Sequence, residues 1–103
     1  MTEHHGRDAF EQGVMVDVGG AAGALLVYAP AALEGHEIEI SPYGDDNNRT
    51  HADVLRRATA AGAVYAAIFG SLPDGLYRLW HQSGSRPTEV RIVGGEIAVV
   101  HWR

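Results

Sequence analysis

The hydrophobic positions of this chain form short runs, separated by glycine, by proline and by clusters of Asp and Asn. Val14, Val16 and Val18 alternate with other residues, which is the pattern of a half-buried strand. Residues 24–29 (ALLVYA) are apolar at both parities, which predicts a central strand, and residues 63–69 (AVYAAIF) show the same pattern. Runs of this length and spacing are typical of an all-β domain.

Residues 36–41 (HEIEIS) alternate regularly and predict another strand. His36 and the two isoleucines are expected on one face, and the two glutamates and Ser41 on the other. Residues 29–35 form a connection with room for one helical turn. Gly94-Gly95 predicts a tight hairpin turn between the last two strands. The remaining strands are predicted at 76–81, 88–93 and 96–102.

Residues 50–63 (THADVLRRATAAGA) fit two structures. A helix capped near Thr50 would place Val54 and Leu55 on an apolar stripe, and local propensity favours it. A strand would turn Thr50, Ala52 and Val54 inward, and the β pattern on both sides favours it.

The stretch LPDGLYRLW at 72–80 predicts a corner between two sheets. In Greek-key sandwiches, a tyrosine near the start of a strand donates a hydrogen bond to the backbone a few residues upstream, and Tyr77 has this position. Leu72 is expected to fill the core beneath the corner, and Gly75 to allow a positive φ. The sequence thus predicts a single antiparallel β-sandwich of seven or eight strands, with Greek-key connections and a tyrosine corner. It spans 12–103 and follows a disordered tail at 1–11.

Composition narrows the function classes. The chain has 103 residues, enough for one small domain, and 46% are hydrophobic, enough for a core. It has no cysteine, which excludes disulfides, thiolate metal sites and cysteine nucleophiles. The net charge of -5 disfavours nucleic acid as a partner. No apolar run suits a signal peptide or a membrane span, so a cytoplasmic location is expected.

Three residues are candidates for ligand binding: Arg49, His51 and Trp80. Arg49 ends the acidic loop 44–49 (GDDNNR) and is expected to pair with a neighbouring carboxylate. Trp80 has the opposite parity from Tyr77, which fits the rim of a binding surface or, as the favoured alternative, an edge or inter-sheet position. No metal or cofactor is predicted, because no histidine pair has chelating spacing and the loop lacks the alternating acids of a calcium site. If a metal is present, His51 and Asp46 are the candidate ligands.

The exposed carboxylates of Glu37 and Glu39 lie on one strand, without an evident catalytic partner. Surface charge complementarity explains them more simply than acid and base roles do. The expected cross-strand partners are the arginines Arg56, Arg57, Arg78 and Arg91.

Three segments, EIEISPYGDDNNRTHADVLRR, YAAIFGSLPDGLYRLW and VRIVGGEIAVVHW, resemble a family of small actinobacterial proteins that often carry the label "phospholipase". The ending is more loosely similar to carboxypeptidase regulatory-like and transthyretin-like sandwich domains. The family resemblance implies that THADVLRR is a strand followed by a hairpin. It implies no catalytic residues.

The predicted function is a small, non-catalytic binding or accessory module, with a protein partner or a second copy of the chain as its ligand. A small hydrolase and a metal-dependent domain are the alternatives. Ser71 lacks the second glycine of a G-x-S-x-G elbow. The H-x-K-x4-D motif of phospholipase D requires a lysine, and the chain has none. His51 and Asp53 share a strand face and would form at most a weak dyad.

Overall fold

The computed structural model describes residues 21–81 and 86–102, so the predicted tail at 1–11 and the predicted strand at Val14, Val16 and Val18 lie outside the described residues. Within the described part, no helix is long and apolar enough to cross a membrane. The connection after the first strand contains the predicted helical turn, a 3-10 turn at Ala31–Leu33. The strands are β1 (Ala22–Tyr28), β2 (Glu37–Pro42), β3 (Thr50–Asp53), β4 (Leu55–Thr59), β5 (Gly62–Pro73), β6 (Gly75–Trp80), β7 (Thr88–Ile92) and β8 (Ile97–His101).

These strands form two sheets that pack together. Sheet 1 has the order β4-β5-β1-β8, and sheet 2 has the order β3-β2-β6-β7. All pairs are antiparallel except β1 with β8, which is parallel. The all-β prediction is confirmed, but the expectation of a purely antiparallel sandwich is wrong at this pair. Alternation along a strand predicts which residues face the core, and it carries no information about the direction of the neighbouring strand.

The main core lies between the sheets, and both contribute alternate residues to it. From sheet 1 come Leu25, Val27 and Phe69, and from sheet 2 come Ile40 and Leu79, all of them buried. The predicted core face of β2 is therefore confirmed for its two isoleucines. His36 is exposed, however, because it precedes β2 and forms part of the connection from the 3-10 turn.

β1 is buried on both faces, as its uniform hydrophobicity predicts. It lies between β5 and β8 in sheet 1. The residues that face away from sheet 2 form a second apolar cluster, and the side chains of Ala24 and Leu26 have no exposed surface. Tyr28, Ala66 and Ile97 complete the buried part of that cluster.

This segment forms the strands β3 and β4 and then a turn at 60–61, so the helical alternative is wrong. The strand breaks at Val54, which is fully buried and lies between β3 in sheet 2 and β4 in sheet 1. β4 then pairs with β5 in a hairpin closed by Thr59 and Gly62. The strand and hairpin implied by the family resemblance are both present, with the crossing at Val54 between them.

The prediction of a hairpin at Gly94-Gly95 is wrong. β7 pairs with β6 in sheet 2, whereas β8 pairs with β1 in sheet 1. The connection instead contacts the start of β1: the Gly95 amide donates to the Ala22 carbonyl at 2.9 Å, and the Ala24 amide donates to the Glu96 carbonyl at 3.0 Å. A Gly-Gly pair marks a sharp change of direction, and this one connects two different sheets.

The chain also changes sheets between Pro73 and Gly75, where β5 ends and β6 begins. Leu72 is buried there and Gly75 has a φ of +153°, as predicted for both. Ser71 has a φ of +55°, and the β1–β5 register shifts at this point. The hydroxyl of Tyr77 donates a hydrogen bond to the Pro73 carbonyl at 2.8 Å.

Candidate functional site

The three predicted binding residues lie on or beside the outer face of sheet 2, the side opposite the core. Glu39 pairs in register with His51 on one side and with Trp80 on the other. Because register partners in a sheet project to the same side, these three side chains form a row across β3, β2 and β6. Arg49 immediately precedes β3 and reaches back over the row.

Arg49 and Trp80 form the centre of this face. The guanidinium carbon of Arg49 lies 3.8 Å from the centroid of the Trp80 ring, which is a close cation–π contact. The same guanidinium donates through Nη1 to Glu39 Oε1 at 3.0 Å and through Nε to the Asp46 carbonyl at 2.8 Å. The expected pairing of Arg49 with a carboxylate is confirmed, but the partner comes from β2 and not from the loop.

Ser41 holds the Trp80 indole in place through a hydrogen bond. The Nε1–H of Trp80 donates to Ser41 Oγ at 2.9 Å, and the side chain of Ser41 is fully buried. The expectation that Ser41 is exposed beside Glu37 and Glu39 is therefore wrong. Its parity does point outward, but Trp80 projects from the neighbouring strand on the same side and bonds to it.

A second group of side chains holds the loop 43–49 on the sheet. Nη1 of Arg78 lies 3.1 and 3.0 Å from the two carboxylate oxygens of Asp46, and its guanidinium lies over the ring of Tyr43 with 4.7 Å between Cζ and centroid. The sequence predicted Arg78 as a cross-strand partner of Glu37 or Glu39, but its carboxylate partner is Asp46 of the loop. Arg78 has the same parity as Trp80, which is a usable signal, but a contact with a loop 32 residues away leaves no trace in local spacing.

His51 takes part only loosely. Its Nε2 lies 3.7 Å from Glu37 Oε2, and both side chains are more than half exposed. Within residues 21–81 and 86–102, no three His, Asp or Glu side chains are grouped so that they could hold a metal ion. His51 and Asp46 have separate partners, Glu37 and Arg78.

Ser71 and His51, the residues that a hydrolytic mechanism would use, belong to different sheets. Ser71 lies in β5 of sheet 1, and His51 lies in β3 on the outer face of sheet 2. In the described part of the chain, they share no hydrogen bond. Asp53 follows two residues after His51 on an exposed edge strand.

A half-open cleft lies at the end of the sandwich, beside the Pro73 turn. Its volume is about 170 Å³, and Ser41, Asn48, Thr50, Leu72 and Tyr77 are among its lining residues. Sites for small organic ligands usually have volumes of roughly 300–1,000 Å³. This cleft is smaller than such sites.

Chemically, the face combines two aromatic rings with carboxylates and hydrogen-bond donors. Trp80 and Glu39 attract a cation from two directions, through the ring and through the charge. The side chains of Glu39 and Asp46 are each 44% exposed, so the carboxylates reach solvent even while they are paired. This arrangement suits recognition of charged and planar groups.

Comparison of the chain with protein-family models, with curated proteins and with solved structures finds no match. The resemblance to the actinobacterial family therefore stays a prediction. The candidate site rests on the geometry of its own residues.

Proposed function

We propose that this chain is a small, non-catalytic binding module that presents the outer face of sheet 2 to a protein partner. The observation that carries the proposal is the stack of Arg49 on Trp80 at an ion-paired, solvent-facing position. Tryptophan, tyrosine and arginine are the residue types that dominate binding energy at protein interfaces, and this face concentrates them. Tyr43 is 51% exposed beside the stack and extends the aromatic surface.

The charges of this face favour a protein partner over nucleic acid. A nucleic-acid surface needs an excess of basic groups to displace counterions from phosphates. Here the acidic side chains outnumber the arginines. The acidic residues are Glu37, Glu39, Asp46, Asp53 and Glu89, and the arginines are Arg49, Arg78 and Arg91.

A random peptide library displayed on phage tests the proposal directly. We expect selection on the wild-type protein to enrich peptides that bind with micromolar Kd and bind the Trp80→Ala variant at least about tenfold more weakly. Leu55→Ala is the matched control, because Leu55 is exposed on sheet 1. Peptides that bind all three proteins equally, or a library from which nothing is enriched, would contradict the proposal.

The proposed scaffold for this face is a Greek-key sandwich with a tyrosine corner at Tyr77. The Tyr77–Pro73 hydrogen bond supports the corner, because it links the third residue of β6 to the last residue of β5, where the chain leaves sheet 1. Burial raises the pKa of the Tyr77 phenol, and the nearby carboxylate of Asp74 raises it further. Both effects favour the protonated form, which is the form that donates the hydrogen bond.

Tyr77→Phe is expected to reduce the free energy of unfolding by about 0.5–1.5 kcal/mol without changing the fold, because it removes one partly buried hydrogen bond. Chemical denaturation at pH 7 measures this loss. The phenol pKa is higher in the folded than in the unfolded state. The resulting stability is fully present below the unfolded-state pKa and is lost as the pH rises through the folded-state pKa. Wild type should therefore approach the variant above pH ~10. Equal stability at pH 7 would contradict the corner.

A further inference from the structure

We propose that the Trp80 ring and the Glu39 carboxylate form a recognition site for an arginine side chain of the partner, and that Arg49 occupies this site in the free chain. This inference rests on the proposed function and gives the partner its chemistry. Arg49 makes the contacts that a bound arginine would make: a stack on the ring, an ion pair at 3.0 Å and a hydrogen bond to a carbonyl. A planar guanidinium suits this combination, whereas an ammonium does not stack.

The receptor part of the site is rigid, and its occupant comes from a connection. Glu39 and Trp80 are register partners on β2 and β6, the two central strands of sheet 2. Ser41 holds the indole from its buried position. Arg49, in contrast, belongs to the segment between β2 and β3. Arg49 can therefore leave the site without breaking a strand pair.

The exposure of the contacts makes an exchange feasible. The side chains of Arg49 and Glu39 are 35% and 44% exposed, and ion pairs with this exposure are weak. An incoming guanidinium replaces each contact that Arg49 loses, so the exchange itself is nearly balanced. A partner gains binding energy from its additional contacts with the same face.

Because Arg49 is tethered beside the site, it competes as an internal ligand. Short flexible tethers give effective concentrations in the millimolar range or above. A free arginine derivative must exceed this concentration to bind the wild-type protein. Removing the Arg49 side chain should therefore raise the affinity of the site for a small guanidinium probe.

The experiment is a titration with N-acetyl-argininamide, followed by NMR through the backbone amide signals of β2, which every variant retains. We expect Arg49→Ala to bind the probe at least about tenfold more tightly than wild type, and adding Glu39→Gln or Trp80→Ala to remove the gain. Arg91→Ala is the matched control, because it removes an exposed arginine from β7 of the same sheet. N-acetyl-lysinamide should show no comparable gain.

Two results would overturn the inference: an Arg49→Ala variant that binds the probe no better than wild type, or a gain that survives Glu39→Gln. Glu39 is partly exposed, so the variant with Glu39→Gln should fold even if the variant with Trp80→Ala does not. The titration could fail while the phage library still yields peptides whose binding depends on Trp80. That result would reject the arginine site and leave the binding module in place. Success of the titration without such peptides would leave the guanidinium site in place and reject the peptide-binding module.

Discussion

Gly23→Ala is expected to destabilise the protein by about 2–3 kcal/mol or more, because the backbone of the β7–β8 connection passes directly over this residue. A β-carbon at position 23 would lie 2.5 Å from the Val93 carbonyl oxygen and 2.8 Å from Cγ2 of Ile92. The Glu96 carbonyl oxygen would lie 3.1 Å away. Two of the three obstacles are backbone atoms, so a side-chain rotation cannot relieve the overlap.

The close approach is held in place from several sides, which is why relaxation is costly. The Gly95 and Ala24 amides fix the connection to β1. The Gly94 amide donates to Asp74 Oδ2 at 3.0 Å, which ties the same connection to the turn between β5 and β6. Moving the connection to make room for a methyl group would break some of these bonds.

Gly70→Ala is the matched control. Gly70 lies in β5 of the same sheet, and a β-carbon there would have no neighbour within 4 Å. Replacing a strand glycine that has open space should be neutral or should stabilise by up to about 1 kcal/mol. Urea denaturation of both variants checks the pair. If Gly23→Ala changes the free energy of unfolding no more than Gly70→Ala does, the connection is not packed against β1.

The glycines also show where sequence reasoning reached its limit. Gly94-Gly95 correctly predicted a sharp change of direction. What the dipeptide could not indicate is whether the strands on either side pair with each other, because a hairpin and a crossing between sheets both need a tight turn. The deciding contact is with β1, about 70 residues earlier in the chain.

Local patterns predicted individual elements and some individual contacts. The spacing of Leu72, Gly75 and Tyr77 predicted a buried residue, a positive φ and an upstream hydrogen bond, and all three are observed. These features depend on residues within six positions of one another. Local spacing is therefore sufficient for them.

The candidate site was only partly predictable for the same reason. Arg49 and Trp80 were chosen separately, one for its acidic loop and one for its parity. Their stack joins residues 31 positions apart, and the buried position of Ser41 depends on the neighbouring strand β6. Contacts of this kind follow from which strands pair, and no local pattern contained that information.

Leu26→Ala is expected to reduce the free energy of unfolding by about 2–5 kcal/mol, as much as Leu25→Ala. The two leucines are consecutive, so they point to opposite faces of β1. Leu25 faces the core between the sheets, and Leu26 lies in the outer apolar cluster between Ile68 and Val99. Neither side chain has exposed surface. Each substitution therefore removes the same buried apolar volume.

Leu55→Ala is the control that tests whether burial, and not location on sheet 1, determines the loss of stability. Leu55 pairs in register with Ala66, a member of the outer cluster, but it is 48% exposed. Its loss should cost about 0.5 kcal/mol, the range of surface substitutions. Chemical denaturation of the three leucine variants should place Leu25 and Leu26 together and Leu55 apart. A Leu26→Ala cost near that of Leu55→Ala would show that the outer apolar cluster is not part of the core. It would also make that cluster a rival to the polar face of sheet 2 as the surface that meets a partner, because large exposed apolar patches mark interaction sites.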